Sequence, residues 1–379
     1  MKRTNRNIEA FFTLVKAGLW EQEVRLSGFE KADFKEVCRI AEEQSVAGLV
    51  AAGIEHIEDI CAPKQDVLTL VGKTLQLERR NLAMNEYVSW LIEKLREENI
   101  YALLVKGQGI AQCYERPLWR VSGDVDLLLD SDNYERAKIL LLPLAIDAES
   151  EYKAFKHLGM TMKGGYVVEL HGSLHTRLSG RVDSFLDALQ MEALTQNRVR
   201  TWRNGKTDVY IPAPEIDAIF VFTHILHHFY IEGIGIRQIC DWCRLLWTYR
   251  DAMDMQVLES RIRSMGLMSE WKAFGTFAVE YLGMPAEAMP LYVSEVQDIH
   301  EFKKFKRKAE RIMEFVLESG NFGHNRDIIR SRNYLVGKIL AAWYKMKDFG
   351  RHALVFPLDS VKFFFHFLCN GIGIVSRSE

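Results

Sequence analysis

The sequence predicts an α+β protein in which a small mixed sheet with helices is flanked by N- and C-terminal helical segments. Three observations carry this. Apolar residues recur at three- and four-residue spacing from residue 8 to about 98, as in Val67, Leu70, Val71 and Leu75 and again in Val88, Leu91, Ile92 and Leu95. That is the period of helices with one buried face. Between residues 101 and 211 the texture changes to short apolar runs separated by glycine-bearing turns, which is the texture of strands. Beyond Pro212-Ala213-Pro214 the helical period returns and persists. The chain therefore divides into a helical segment over 1–64, a sheet-bearing core over 65–211 and a helical domain over 212–379.

The elements follow in order. Ala62-Pro63 and Asp66 place a helix start near residue 65, and Glu97-Glu98-Asn99 closes that helical region. Residues 101–105 read as a buried strand entering the turn Lys106-Gly107-Gln108-Gly109, with a short helix over 110–114. A second buried strand is expected over 125–129, then a helix over 134–142 with Ser131 or Asp132 as its N-cap. Short strands are expected over 152–157, 160–162 and 166–171, separated by Gly159 and by the hairpin signal Gly164-Gly165. A helix over 182–194 and a last strand over 208–211 complete the core. Helices then cover 215–230, 236–249 and 255–265, the first two broken at Gly233-Ile234-Gly235. The charge run over 301–311 reads as a solvated helix face, and 363–375 as a buried amphipathic helix whose phenylalanines form a packing seam.

Composition bounds the function. With 48% hydrophobic and 26% charged residues, the 379-residue chain has ample material for a core. Its formal net charge of -2 supplies no positive field, so extensive nucleic-acid binding is not expected, although a local basic groove is compatible with it. The basic start Met1–Arg6 leads into no long apolar stretch before Lys16, and residues 363–375 are too few to span a bilayer. Six scattered cysteines read as free thiols in a reducing cytoplasm. Cys240-Asp241-Trp242-Cys243 matches C-x-x-C but lies in a helical stretch without a second pair, which favours packing over redox or zinc chemistry.

The residues that could carry chemistry centre on Asp124-Val125-Asp126. On a strand both carboxylates project to one side, with Leu127 and Leu129 on the other. Two carboxylates so close repel unless a cation lies between them, and hard oxygen ligands suit Mg²⁺ or Mn²⁺. The preceding Lys106-Gly107 turn offers amides and a positive charge to phosphate oxygens. Glu169 stands alone in the apolar run Val167-Val168-Glu169-Leu170-His171 and needs a partner there. If that strand lies beside the Asp124 strand, Glu169 is a third carboxylate of the site and His171 shares its face. Arg120 could neutralise a phosphate or pair with a nearby aspartate, and Ser122 could donate to a phosphate or cap the turn. His224, His227 and His228 share one helix face, where they could pack, contact a substrate or hold a metal, with Arg237 and Asp241 as plausible partners.

These residues in this order resemble the uncharacterised nucleotidyltransferase family of the polymerase-β superfamily. The L-x-K-G element corresponds to Leu104-Val105-Lys106-Gly107, and R-x-x-x-D-x-D-L-L to Arg120, Asp124, Asp126, Leu127 and Leu128. The third-carboxylate strand corresponds to Glu169-Leu170-His171. The resemblance covers about residues 65–250. It implies a polymerase-β-type catalytic core and transfer of a nucleoside monophosphate from an NTP, ATP included, to an acceptor hydroxyl of a small molecule or protein. Asp124, Asp126 and Glu169 would then hold the metal, with Lys106, Gly107, Arg120, Ser122 and His171 around the nucleotide. Lys106-Gly107 stands where the wider superfamily usually has Gly-Ser or Gly-Gly, and Glu169 where Asp is common. The first departure leaves open a module of this fold that binds nucleotide or metal with little or no turnover.

Overall fold

The computed structural model describes residues 2–59, 62–152, 156–231, 233–320, 346 and 349–363. Its first helices meet backbone to backbone. Helices α1 (Lys2–Trp20) and α3 (Ala47–Glu55), with α2 (Phe34–Glu43) between them in sequence, meet at glycines. A Cβ on Gly18 would lie 1.9 Å from the Leu49 carbonyl oxygen, and one on Gly53 would lie 2.1 Å from that of Leu14. Only glycine permits this approach. The long α4 (Lys64–Glu97) starts where Pro63 allows and buries Met84, Val88, Leu91, Ile92 and Leu95 on one stripe.

That stripe covers one face of a five-stranded sheet built from β1 (Leu103–Val105), β2 (Asp124–Leu128), β3 (Ala145–Ala148), β4 (His157–Met162) and β5 (Val167–His171). The spatial order is β1-β2-β5-β4-β3, with β2 and β5 parallel and the other pairs antiparallel. The short α5 (Gly107–Ala111) follows β1, and α6 (Ser131–Leu141) provides part of the crossover between the parallel strands. Val125, Leu127, Leu129, Val168 and Leu170 join the α4 stripe and Tyr134 of α6 in one core. The alternate residues of β2 and β5 face the other way. This alternation is what gathers the acidic side chains on a single face.

Helix α7 (Gly180–Thr195) leads to a two-stranded ribbon of β6 (Val199–Asn204) and β7 (Thr207–Pro212). Then come α8 (Pro214–Ile231), α9 (Ile236–Thr248), α10 (Met255–Met265), α11 (Met268–Leu282) and α12 (Ile299–Ser319). A second, larger core runs through α1–α3 and α7–α12. Phe12 of α1 packs its ring 6.3 Å from Phe277 and 5.7 Å from Tyr281 of α11. The helices before residue 64 and those after residue 212 thus share one interior. On α12 the charge run is the solvated side of a helix that buries Phe302, Phe305, Ala309 and Ile312. Among the described residues no helix is long and apolar enough to cross a membrane.

Several expectations change. The N-cap of α6 is Asp130, whose carboxylate accepts from the Asn133 amide at 2.8 Å, rather than Ser131 or Asp132. Strand β4 runs unbroken through Gly159, which pairs with Glu169. Strands β3 and β6 carry no apolar alternation because neither has a fully buried residue, so pattern alone does not reveal them. Residues 153–155 of the expected 152–157 strand lie outside the described residues, and Tyr152 forms an isolated bridge to His157. Of the 363–375 segment only Phe363 is described; it is buried, with its ring 4.9 Å from Tyr230. Cys38, Cys113, Cys240 and Cys243 are free thiols, and Cys240 and Cys243 are fully buried in α9.

Two stability predictions follow from this packing. Gly53→Ala should cost about 1–3 kcal/mol by overpacking, while Gly72→Ala, on the open side of α4 with nothing near its Cβ, should gain about 1 kcal/mol from helix propensity; denaturant midpoints of the two variants check the contrast. Glu270 of α11 is fully buried beside the Tyr230 hydroxyl, 3.4 Å away. Burial, and after it the nearby Asp359 carboxylate, pushes the Glu270 carboxyl up from 4.5 to about 8. The folded state therefore holds a proton that the unfolded chain releases, and stability falls as pH rises through the window between those values. Glu270→Gln should raise the melting temperature relative to the wild type at pH 8 and narrow that gain as the pH is lowered toward 5, as followed by thermal unfolding in both buffers.

Candidate active site

The site forms where β1, β2 and β5 end beside one another. Register places Asp126 of β2 opposite Val105 of β1 on one side and opposite Glu169 of β5 on the other. Asp124, Asp126 and Glu169 each offer a carboxylate oxygen, and these oxygens all lie within 4.8 Å of one another. The structure thus brings together the three carboxylates singled out in the sequence.

Such crowding of negative charge shapes everything around it. Repulsion from Asp126, reinforced by burial, raises the Asp124 carboxyl above its ordinary range. Lys106 answers part of this charge, its Nζ lying 2.8 Å from Asp126 Oδ1. Burial alone would lower the lysine, but Asp126, Asp124 and Glu169 together raise it, so it stays an ammonium. Its backbone is unusual, with φ 57° and ψ -142°, and Gly107 follows at φ 39°. A residue with a side chain held there carries strain of about 1–3 kcal/mol, the kind of local cost found where function fixes a conformation.

His171 Nε2 lies 2.7 Å from Asp126 Oδ1 and 3.4 Å from Glu169 Oε2. Burial works against its charged form, yet these two carboxylates raise its pKa overall. Glu169 is pulled the other way: burial disfavours its charge, but His157, His171 and Lys106 hold it well below the usual carboxylate range. His157, with Nε2 3.2 Å from Glu169 Oε2, was not among the residues that sequence reasoning picked out. A signal existed. His157 and His171 lie equally far along the chain from Gly164 in the hairpin turn, so counting outward from that turn pairs them across β4 and β5.

Arg120 and Ser122 have other partners in this structure. Arg120 makes a bidentate pair with Asp241 of α9, Nε to Oδ1 at 2.9 Å and Nη2 to Oδ2 at 2.7 Å. Its Nη1 donates to Ser122 Oγ at 2.7 Å, and that hydroxyl donates onward to Gln108 Oε1 at 3.0 Å. Tyr114 also donates its hydroxyl to Asp241 Oδ1 at 2.7 Å. All of these groups are buried, so Asp241 fastens α9 to the loop that leads into β2. It is not the partner of the α8 imidazoles that the sequence suggested. Those imidazoles engage one another and the backbone: His228 Nε2 is 2.9 Å from His224 Nε2, and His227 Nδ1 is 2.6 Å from the Thr176 carbonyl. His175 pairs with Asp187 at 2.7 Å, away from the carboxylates.

Docking α8 and α9 over the sheet leaves a cavity of about 160 Å³. Lys106, Gly107, Asp124 and Asp126 form its floor, and His224, Arg237 and Gln238 its opposite wall. Burial, then Lys106 and the neighbouring imidazoles, keep His224 well below the ordinary histidine value, so it is neutral. Gln238 is buried, its Oε1 accepting from the Gly235 amide at 2.8 Å while its Nε2 has no partner among the described residues.

No curated protein sequence matches the chain. Among solved structures, an antigenic nucleotidyltransferase-like protein from Paracoccidioides brasiliensis is similar at 15% identity and a TM-score of 0.33, over 57% of this chain and 96% of that one. The family model described as "Uncharacterised nucleotidyltransferase" matches residues 30–283, well over half of the chain. The chain belongs to that family.

Proposed function

We propose that this protein transfers a nucleoside monophosphate from an NTP to an acceptor hydroxyl of a small molecule or a protein. The observation that carries the reading is the convergence of Asp124, Asp126 and Glu169 on one face of two parallel strands, with ligand oxygens within 4.8 Å of one another. Their fit to a hard divalent cation rests on charge: Asp124 is still held above its ordinary range by Asp126 even with Lys106 beside them, so the cluster accommodates more positive charge. Mg²⁺ or Mn²⁺ held by these three carboxylates would supply Lewis acidity toward the triphosphate and make the acceptor hydroxyl easier to deprotonate.

The protein's own groups prepare the rest. Lys106, already an ammonium at the carboxylates, can turn its charge to a phosphate oxygen when the acidic cluster is neutralised by other means. His171 holds Asp126 in place through the 2.7 Å contact. Arg237 of α9 and Arg120 both line this cavity while contacting Asp241, and each brings a guanidinium that can meet the negative charge of a triphosphate. The cavity of about 160 Å³ is small. Enclosing pockets for whole small ligands run to roughly 300–1,000 Å³, so we assign it to the phosphate end, with the base lying outside.

One observation favours a second reading, a nucleotide- or metal-binding module with little turnover. Lys106 Nζ sits 2.8 Å from Asp126 and occupies a position where a cation would bind. Calorimetric titration with Mg²⁺ and each NTP, alongside a pyrophosphate-release assay over metabolite and protein acceptors, separates the two. Metal-dependent NTP binding without pyrophosphate release for any acceptor would support the module.

Asp126→Asn should lower pyrophosphate release by at least about 100-fold, since charge stabilisation of this kind is worth several kcal/mol. Lys106→Met should strengthen Mg²⁺ binding in the absence of nucleotide while weakening NTP binding, because the ammonium and the ion compete for Asp126. Mg²⁺ affinity unchanged in both variants would exclude the carboxylates as the metal site.

A further inference from the structure

Beyond the acidic trio, the sheet carries a second set of ligand atoms with a different chemistry. His157 and His171 are directly paired across β4 and β5, and Glu169 lies on the same face two residues before His171. Their ligand atoms, like those of the trio, all lie within 4.8 Å of one another. His157 Nε2 is 3.2 Å from Glu169 Oε2, and His171 Nε2 is 3.4 Å from the same oxygen. A tetrahedral ion with bonds of about 2.0–2.1 Å to nitrogen and oxygen separates its ligands by about 3.3 Å. The two measured edges match that figure; to bind the ion, His171 Nε2 would exchange its 2.7 Å contact with Asp126 Oδ1 for the metal. The two rings approach with centroids 4.8 Å apart, tilted at 55°, close enough to share one ion.

We propose that His157, Glu169 and His171 form a binding site for a first-row divalent transition ion of the Zn²⁺ class. Two imidazoles and one carboxylate make a borderline-soft donor set that discriminates against Mg²⁺, which prefers an all-oxygen shell. It is also a set that leaves a coordination position open for a water or a substrate atom. The side chains are partly accessible, with His157 and Glu169 each 27% exposed and His171 14%, so an ion can enter from solvent. Glu169 belongs to both groups, which would set the transition ion beside the hard-cation site on the same sheet face. Antiparallel pairing of β4 and β5 provides the rigidity. Each histidine is fixed by the register of a ladder rather than by a loop.

The test uses the full-length protein and Co²⁺ as a spectroscopic stand-in for Zn²⁺. Metal-stripped protein titrated with Co²⁺ should develop visible ligand-field absorption at one ion per chain. Zn²⁺ should abolish that absorption at stoichiometric amounts, and a large excess of Mg²⁺ should leave it in place. His157→Gln should weaken Co²⁺ binding by more than about 100-fold, because even an outer-shell partner of a metal ligand is worth 10–100-fold. Asp124→Asn, which belongs only to the acidic trio, should retain the absorption. Circular dichroism and thermal unfolding of both variants establish that they are folded, and Zn²⁺ should raise the melting temperature of the wild type but not of His157→Gln. Absence of Co²⁺ absorption, its displacement by Mg²⁺, or an unchanged Co²⁺ affinity in folded His157→Gln would each overturn the proposal. A turnover assay on Asp124→Asn, at a residue with no contact to either histidine among the hydrogen bonds and ion pairs described, reads out the acidic trio separately, so failure of one site is distinguishable from failure of the other.

Discussion

The constraint on which the site depends is mutual repulsion among carboxylates that the sheet forces together. Strand alternation puts Asp124 and Asp126 on one face, and parallel pairing of β2 with β5 adds Glu169 at the register of Asp126. Unpaired, such a cluster would be expensive to bury. The surrounding residues are organised to offset it. Lys106 reaches Asp126 from the end of β1, His171 bridges Asp126 and Glu169, and His157 approaches Glu169 from the neighbouring strand.

That arrangement gives the strained Lys106 backbone a physical reason. At φ 57° the lysine departs from the region ordinary residues prefer, and glycine would relieve the departure. An ammonium at this position is the strongest available answer to Asp126, and the electrostatic gain offsets the local cost.

A second buried hub sets the geometry of the opposite wall. Asp241 gathers Arg120, Tyr114 and, at 3.6 Å, Arg237. Removing one partner of such a pair leaves an uncompensated charge in the interior, so this hub ties α9 firmly to the sheet. It closes the cavity and leaves Arg237 and Gln238 lining it. The helices before residue 64 contribute indirectly, since they share the larger core with α8, α9 and α11 and so support the wall from behind.

Local pattern accounts for much of this protein. The helix period predicted α4, α7, α8, α9 and α10 to within a few residues, and the apolar runs around Leu104, Val125 and Val168 marked the three strands that hold the candidate site. The spacing of Asp124 and Asp126 settled that they share a face, because alternation is a property of any strand. What the pattern could not decide depends on which strands become neighbours and in what register. Glu169 joins the aspartates only through parallel pairing of β2 and β5, and His157 enters only through the β4–β5 ladder. Arg120 had two open roles in the sequence, and the aspartate that takes it lies 121 residues away on another helix. Strands β3 and β6 left no apolar trace because no residue of either is fully buried. Periodicity records which face of an element is buried; pairing and long-range charge partners exist only once the chain has closed on itself.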